Sequence, residues 1–511
     1  MKQILIYTYA YNAEKTLTRT IESILAQTYS DWIYYILDNG ATDNTGAIIN
    51  EYASRDSWIV PLVNKKNNVW TPGAHPFEVI LREPKCDYFC MLDADDEYKP
   101  RFLETMVEFA EKNNLDVAAC GNDFIDAATN SFLSIKCLDK NLCLEGRGFS
   151  DNFTQVFQFM RTYWAKLSSI PTMLEMDVSR IPSAPYGWDT LFTTELFRCA
   201  NRVGVLAESL HKYYFSTKSL SFRWDGERIA ADRVLDDTAR AFLVEKQGAV
   251  SPPNDYFLQR VYLYGLLDTI NVLVKADIPL AETTACLLDI LLHEKTQDLF
   301  LRGYVLAADL NMLLRQPIEQ WMLQKNGIMQ SDDAKMIAGI IALMYEDLPQ
   351  SSDSANIIVQ DAELFSLLAN LKNSGSSFLD SANIDLVLSR LLQKHPILQN
   401  VGAGLACAFA NAICLIIQGD NQKALDNLIA ASQDIEIADD DAESFILLGV
   451  NLSAAAESAD AYVYFKKVWI SFLIDSSRAE EAATELEEFE QLFPNDEDFS
   501  ELRSRLQTTS W

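Results

Sequence analysis

Tyr88-Phe89-Cys90-Met91-Leu92-Asp93-Ala94-Asp95-Asp96 begins as an apolar run of strand length and ends in three carboxylates within four residues. A buried strand that delivers clustered carboxylates at its C-terminal end is costly unless something cationic sits there. In an open α/β sheet, that end of the strands is where ligands bind. Asp93 and Asp95 are spaced i, i+2, so in an extended chain both point the same way. Two hard oxygen donors on one side suit Mg²⁺ or Mn²⁺ bridging to phosphates. The competing reading is a strand followed by a solvated acidic turn, because Asp-rich turns are common.

Working outward, Gln3 to Thr8 reads as a first short strand and Tyr9-Ala10-Tyr11-Asn12 as the turn after it. Asn12 suits the cap of a helix whose inner face is Leu17, Ile21, Ile24 and Leu25. Trp32 to Leu37 is a second strand. It stops at Asp38-Asn39-Gly40-Ala41-Thr42-Asp43-Asn44-Thr45, turn chemistry that leads into another helix. Ile59 to Val63, Tyr88 to Leu92 and Val117 to Cys120 continue the series. Pro100 opens a helix with Phe102, Leu103, Met106, Val107 and Ala110 inward. Strands alternating with helices imply a parallel, doubly wound sheet. Asp38 and Asp93 then both fall at strand C-termini.

The ordered set Tyr9-Ala10-Tyr11-Asn12, Ser23 to Tyr29, Leu37 to Asp43 and Leu92-Asp93-Ala94-Asp95-Asp96 resembles the family 2 nucleotide-sugar glycosyltransferases, over roughly residues 1 to 225. The resemblance implies an N-terminal α/β domain of the Rossmann-like fold called GT-A. It also implies an inverting transfer from a nucleoside-diphosphate sugar, a UDP-sugar foremost, to a hydroxyl on a cell-surface or protein-linked glycan. By that resemblance Asp38 contacts the base or ribose, with Tyr9, Tyr11 and Asn39 in the same pocket; Asn39 stands where the family often has a second Asp. Asp95 would ligate Mn²⁺ or Mg²⁺ directly. Asp93 would reach the ribose or the metal, and Asp96 would be a turn residue. His75 stands near where many relatives carry an Arg-Asn pair; it is a phosphate contact or a loop residue. Tyr163-Trp164-Ala165-Lys166-Leu167 resembles a segment that usually reads Trp-Asn-Lys-Leu, with Trp164 and Lys166 structural and Ala165 in place of the Asn. Asp189, in Tyr186-Gly187-Trp188-Asp189, looks like the general base, the competing role being a helix cap. His211 is a further metal ligand or a structural strand residue. Lys218 and Arg223 flank a segment resembling the loop that closes over the diphosphate.

After about Gly226 helical periodicity takes over. Tyr256 to Val274, Leu280 to His293, Asp332 to Met344, Asp380 to Leu392, Leu405 to Ile417, Ala459 to Leu473 and Ala479 to Phe493 read as helices, and residues 419–432 resemble a tetratricopeptide-type helix. The expected division is 1–225 catalytic, 226–350 helical and 351–511 tetratricopeptide-like. The helical part offers a surface for self-association or a protein partner, and residues 1–235 are expected to bind donor by themselves. A net charge of −31 disfavours nucleic acid. The odd, scattered 9 cysteines read as free thiols in a reducing compartment. With no spanning apolar run of about 18 residues and no signal-peptide pattern, the expected location is cytoplasmic, with partners able to hold the chain at the inner membrane face. A reading of another class is an inactive interaction scaffold that keeps the transferase fold; the missing Arg near His75 and Asn39 itself favour it.

Overall fold

The computed structural model describes residues 2–67, 75–182, 186–216, 223–301, 314–325 and 331–346, and beyond 360 chiefly 379–394, 459–493 and 499–509. Four strands set its first unit: β1 (Ile4–Ala10), β2 (Trp32–Asn39), β3 (Ile59–Asn64) and β4 (Tyr88–Met91). Ile4 and Ile6 of β1 enter one core while Leu5 and Tyr7 enter another. β2 and β4 alternate likewise, with Tyr34, Ile36, Tyr88 and Cys90 on the first side and Tyr35, Leu37, Phe89 and Met91 on the second. This is the pattern of strands buried on both faces, and it explains why they read as continuous apolar runs.

The remaining strands are β5 (Glu97–Tyr98), β6 (Val117–Asp126), β7 (Phe132–Lys136), β8 (Leu142–Leu144), β9 (Lys166–Ser169) and β10 (Val203–Phe215). The sheet order is β3-β2-β1-β4-β9-β6-β10-β5, with β7 on β6 and β8 on β10. It is mixed, which corrects the all-parallel expectation. β1, β2, β3 and β4 run parallel, but β9 lies antiparallel between β4 and β6. β10 runs unbroken from Val203 to Phe215. Register shifts between Leu206 and Ser209 and between Ser209 and His211 break its alternation without ending it.

Helices cover both faces. On one lie α1 (Leu17–Leu25) and α2 (Thr45–Arg55). On the other lies α3 (Pro76–Arg82), and α4 (Phe102–Asn113) returns to the first. The second face continues with α5 (Gly148–Asp151), α6 (Phe153–Met160), α7 (Ile170–Leu174), α8 (Trp188–Cys199), α9 (Arg228–Gln247) and α10 (Pro252–Leu273). The aromatic run Phe149 to Met160 packs here, Phe153 and Phe157 against Phe257 of α10 and Phe149 against Phe242 of α9. Asn12 is not the cap of α1. It sits at φ +49, accepts from Thr42 N–H at 2.8 Å and so ties the first turn to the second, while Thr16 precedes α1.

The chain divides into compact units at Ala276/Asp277. The two helices after Gly226 therefore belong with the sheet: Ala239, Phe242, Leu243 and Leu258 lie in the same core as Leu5 and Met91. The second unit is helical throughout its described residues. It contains α11 (Leu280–Leu292), α12 (Glu294–Leu301), α13 (Gln316–Gln324), α14 (Asp332–Glu346), α15 (Ser381–Lys394), α16 (Ala459–Asp475), α17 (Ala479–Leu492) and α18 (Phe499–Thr509). Phe465, Trp469 and Leu473 of α16 pack with Leu486 and Phe489 of α17 and Leu502 of α18. The expected helix at 405–417 and most of 419–432 lie outside the described residues. Among the described residues no helix is long and apolar enough to cross a membrane.

Candidate active site

The three carboxylates after β4 sit in a turn closed by Asp96 N–H donating to Asp93 O at 3.2 Å. Helix α1 grips this turn by its backbone. Thr16 Oγ1 donates to Ala94 O and Thr20 Oγ1 to Asp96 O, each at 2.9 Å, and the Arg19 guanidinium donates to Asp95 O. Thr8 Oγ1 of β1 donates to Leu92 O at 2.8 Å. The carbonyls absorb these bonds, so the side chains of Asp93 and Asp95 are left to face the cavity they line.

Carboxylate oxygens of Asp93, Asp95 and Asp96 lie within 4.8 Å of one another. Burial, then the neighbouring charges of Asp96 and Asp95, holds the Asp93 carboxyl well above the usual carboxylate range. Burial, then Asp95, does the same to Asp96. Carboxylates this close keep a proton between them unless a cation replaces it. Tyr163 donates its hydroxyl to Asp93 Oδ1. Asp96 Oδ1 accepts from Tyr214 N–H at 2.9 Å.

The other Asp96 oxygen stands 3.3 Å from His211 Nε2 but lacks hydrogen-bond geometry, so a buried carboxylate oxygen and a buried imidazole face each other unsatisfied. His211 is fully buried, stacked on Trp164 at 4.6 Å and edge-on to Tyr98 at 5.6 Å. Burial pushes the imidazole down to about 3, so it is neutral. Hard oxygens in excess of local positive charge, with orphaned polar atoms behind them, fit a divalent cation. The structure clusters Asp93, Asp95 and Asp96; His211 reaches that cluster through Asp96.

Asp189 lines the same cavity, whose volume is about 1490 Å³. Gly187, at φ +77, turns the chain into α8 and stands as its N-cap. Glycine is favoured there by the left-handed backbone, and a Cβ would also press on the Leu235 methyl of α9 at 2.7 Å. Asp189 therefore sits inside the first helical turn, after the capping residue. Its enclosure by surrounding atoms pushes the carboxyl up to about 6 against the downward pull of Lys166. Lys166 is itself buried, donating to Trp164 O at 3.2 Å and to Thr162 O, and burial pushes it down to about 7. Trp164 stacks on His211 and Tyr213.

Tyr9, Tyr11 and His75 also line the cavity. His75 caps α3, its Nδ1 accepting from Phe77 N–H at 3.3 Å, and burial pushes the imidazole below its ordinary value. Asp38 and Asn39 stand behind the lining. Asp38 Oδ1 accepts from Ala41 N–H at 2.8 Å. Asn39 is fully buried, donating to Tyr9 and Asn67 and accepting from Asn64 at 2.8 Å. Arg223 is exposed and outside the lining, and Lys218 lies outside the described residues. Tyr163 and Arg161 are lining residues that sequence reading missed, as are Asp232, Arg260, Tyr262 and Asp268 of α9 and α10. Along α9 and α10 the carboxylates look like an ordinary solvated helix face, so the sequence carries no signal for them.

Comparison with known proteins follows the same outline. The chain is 33% identical over 111 residues to the UDP-Glc:alpha-D-GlcNAc-diphosphoundecaprenol beta-1,3-glucosyltransferase WfaP of Escherichia coli, covering 22% of this chain and 42% of that one. It is 24% identical over 213 residues to the "uncharacterized glycosyltransferase EpsJ" of Bacillus subtilis, covering 41% of this chain and 60% of the relative. The chain thus spans less than two thirds of the curated relatives it matches. Among solved structures, S. aureus TarS 1-349 in complex with UDP-GlcNAc aligns with a TM-score of 0.37 at 15% identity, over 77% of this chain and 92% of that one. The profile of Glycosyl transferase family 2 matches from within β1 to Trp164, just short of β9, and this stretch of a GT-A-like α/β domain, residues 6–164, is a Glycosyl transferase family 2 domain.

Proposed function

We propose that the chain transfers a sugar from a nucleoside-diphosphate donor to an acceptor hydroxyl, with inversion and with a divalent metal. The observation that carries this reading is the meeting of Asp93 and Asp95, from the end of β4, with Asp189, from the first turn of α8, across one cavity. Tyr9 and Tyr11 wall the nucleoside end, with Asp38 and Asn39 shaping the turn behind them. Asp95, Asp93 and Asp96 would hold Mn²⁺ or Mg²⁺. Bound there, the metal supplies a Lewis acid for the charge of the departing diphosphate. Tyr163 orients Asp93 by its hydroxyl bond. Asp189 takes the proton from the acceptor hydroxyl as that oxygen attacks the anomeric carbon from the side opposite the diphosphate. By the sequence resemblance, Lys218 and Arg223 would contact the diphosphate. A UDP-sugar is the donor we favour, since relatives are named for UDP-glucose. The helices after Asp277 serve self-association or a protein partner, in the manner of a tetratricopeptide-like surface.

The test is release of nucleoside diphosphate from a panel of UDP-, GDP- and TDP-sugars, with and without Mn²⁺. Metal-dependent release from one donor supports transfer. Tight nucleotide binding with no release from any donor would instead make the chain a scaffold.

A further inference from the structure

One short turn, Arg161-Thr162-Tyr163-Trp164-Ala165, connects α6 to β9 and touches both halves of the candidate site. From Arg161 to Trp164 it walls the cavity. Toward the carboxylates after β4, the Tyr163 hydroxyl bonds Asp93 Oδ1 and Trp164 stacks on His211. Toward α8, Thr190 Oγ1 donates to Arg161 O at 3.4 Å and Thr193 Oγ1 to Thr162 O at 2.9 Å. Thr190 is the residue after Asp189. The turn thus bridges two groups that reach the cavity from separate elements.

Its bend is at Ala165, whose φ of +55 an alanine keeps only when its surroundings impose it. Cys120 N–H of β6 holds the Ala165 carbonyl at 3.1 Å. The Lys166 ammonium holds the rest. It folds back to donate to Thr162 O, to Trp164 O at 3.2 Å and to Thr162 Oγ1 at 3.5 Å. Lys166 is 3% exposed and stands behind the wall, outside the lining. These partners are two carbonyls and a hydroxyl, not a carboxylate. A buried ammonium so partnered is costly, and an apolar side chain of similar length would fill the space at less cost. The ammonium and Thr193 share one acceptor, Thr162 O, which puts the cation a single hydrogen-bonded step from α8.

We propose that Lys166 is a positioning residue of the transfer: its ammonium locks the 161–165 turn, and the turn fixes the start of α8, with Asp189 on it, relative to Asp93. The chemical part of this rests on the transferase reading; the bracket itself rests on the hydrogen bonds. The carboxylate turn keeps a second hold, from Thr16, Arg19 and Thr20 of α1 and the residue before it. Loss of the ammonium therefore falls on the Asp189 side of the cavity.

The experiment compares the full chain with Lys166→Met, Thr193→Val and the double variant. Amide hydrogen exchange is followed across residues 188–192, where Thr190 and Leu191 N–H donate to Gly187 O at 3.0 and 3.2 Å. Either substitution should speed exchange there by at least about tenfold. With the nucleotide sugar from which the wild type releases nucleoside diphosphate, each should lower kcat by at least about tenfold and leave KM for the donor within about twofold. The double variant should be no more than about twofold slower than the worse single one, because both act through Thr162 O. Thr193→Val carries the same readouts should Lys166→Met fail to fold. Wild-type exchange at 188–192, a kcat equal to wild type in a chain that merely melts earlier, a rise in donor KM as large as the fall in kcat, or losses that multiply in the double variant overturns the assignment. Faster exchange in a protein that turns over no donor supports the bracket and strikes the transferase reading instead.

Discussion

Gly187 occupies the capping position of α8, so Asp189, the proposed base, is not its N-cap. A base acts only as the carboxylate. With its pKa raised to about 6 from an ordinary value near 4, activity should climb as pH rises through about 6 and level off above. Asp189→Asn should flatten that limb and lower transfer by roughly 10²- to 10⁴-fold, with the melting temperature nearly unchanged, since an amide oxygen accepts the same backbone N–H as the carboxylate. A variant that transfers at the wild-type rate would leave Asp189 no chemical part. Asp95 allows a parallel argument. Its carbonyl, not its side chain, is held by Arg19, and the side chain is exposed. Asp95→Asn should therefore fold normally and lose Mn²⁺-dependent nucleotide binding, read by calorimetry with and without EDTA. These two residues stood out in the sequence through the order and spacing of the motifs around them, since an acidic turn and a helix N-terminus are also ordinary places for aspartate. Tyr163 was not, since its bond to Asp93 spans 70 positions of chain. Ala165 shows another limit: it sits at φ +55, where asparagine is tolerated far better than alanine. The asparagine usual in the resembling segment thus answers a backbone need invisible in the sequence.

Helix α1 is read easily on its apolar side and poorly on its other. Leu17, Ile21 and Ile24 announce a core face. Thr16, Thr20, Ser23 and Gln27 look like a solvated stripe, yet Thr20 is fully buried and Ser23 nearly so. Their hydroxyls and amide hold the backbone from Ala94 to Lys99. Thr20→Val keeps the shape and removes the donor, leaving Asp96 O buried without Oγ1. The expected cost is about 1–3 kcal/mol, together with weaker Mn²⁺-dependent UDP binding as the carboxylate turn loosens. Thermal melts and calorimetry on the same sample check both; a destabilised variant with wild-type nucleotide affinity would show that α1 supports the fold and not the turn. β9 escaped sequence reading for a related reason. Four residues, Lys166–Ser169, with a lysine and two serines, fall below any periodic signal, and only the edges of β4 and β6 make them a strand.

At the scale of the molecule, the transition from strand to helical pattern near Gly226 does not coincide with the edge of the first compact unit. Periodicity reports local structure, whereas the unit is closed by which core a helix enters. α9 and α10 put Ala239, Phe242, Leu243 and Leu258 into the core beneath β1 and β4, and they wall one side of the cavity. A fragment ending at residue 235 would cut α9, which runs from Arg228 to Gln247, in its middle. Phe242, Leu243 and Leu258 alone carry about 1.5–3 kcal/mol each of burial. Their sum is comparable to the roughly 5–15 kcal/mol by which a whole domain is stable. Residues 1–235 are therefore expected to aggregate or to melt without a cooperative transition, which replaces the expectation drawn from the sequence. Residues 1–276 retain both helices and every described residue that lines the cavity. That fragment should be monodisperse, melt cooperatively and bind UDP with Mn²⁺ within about threefold of the full chain, because a twofold to threefold change is under 1 kcal/mol. Size-exclusion chromatography, a thermal melt and calorimetry on the two fragments decide it. A soluble, nucleotide-binding 1–235 would show that α9 and α10 are dispensable to the sheet, and a 1–276 fragment that fails to fold would show that the first unit depends on the helices after Asp277.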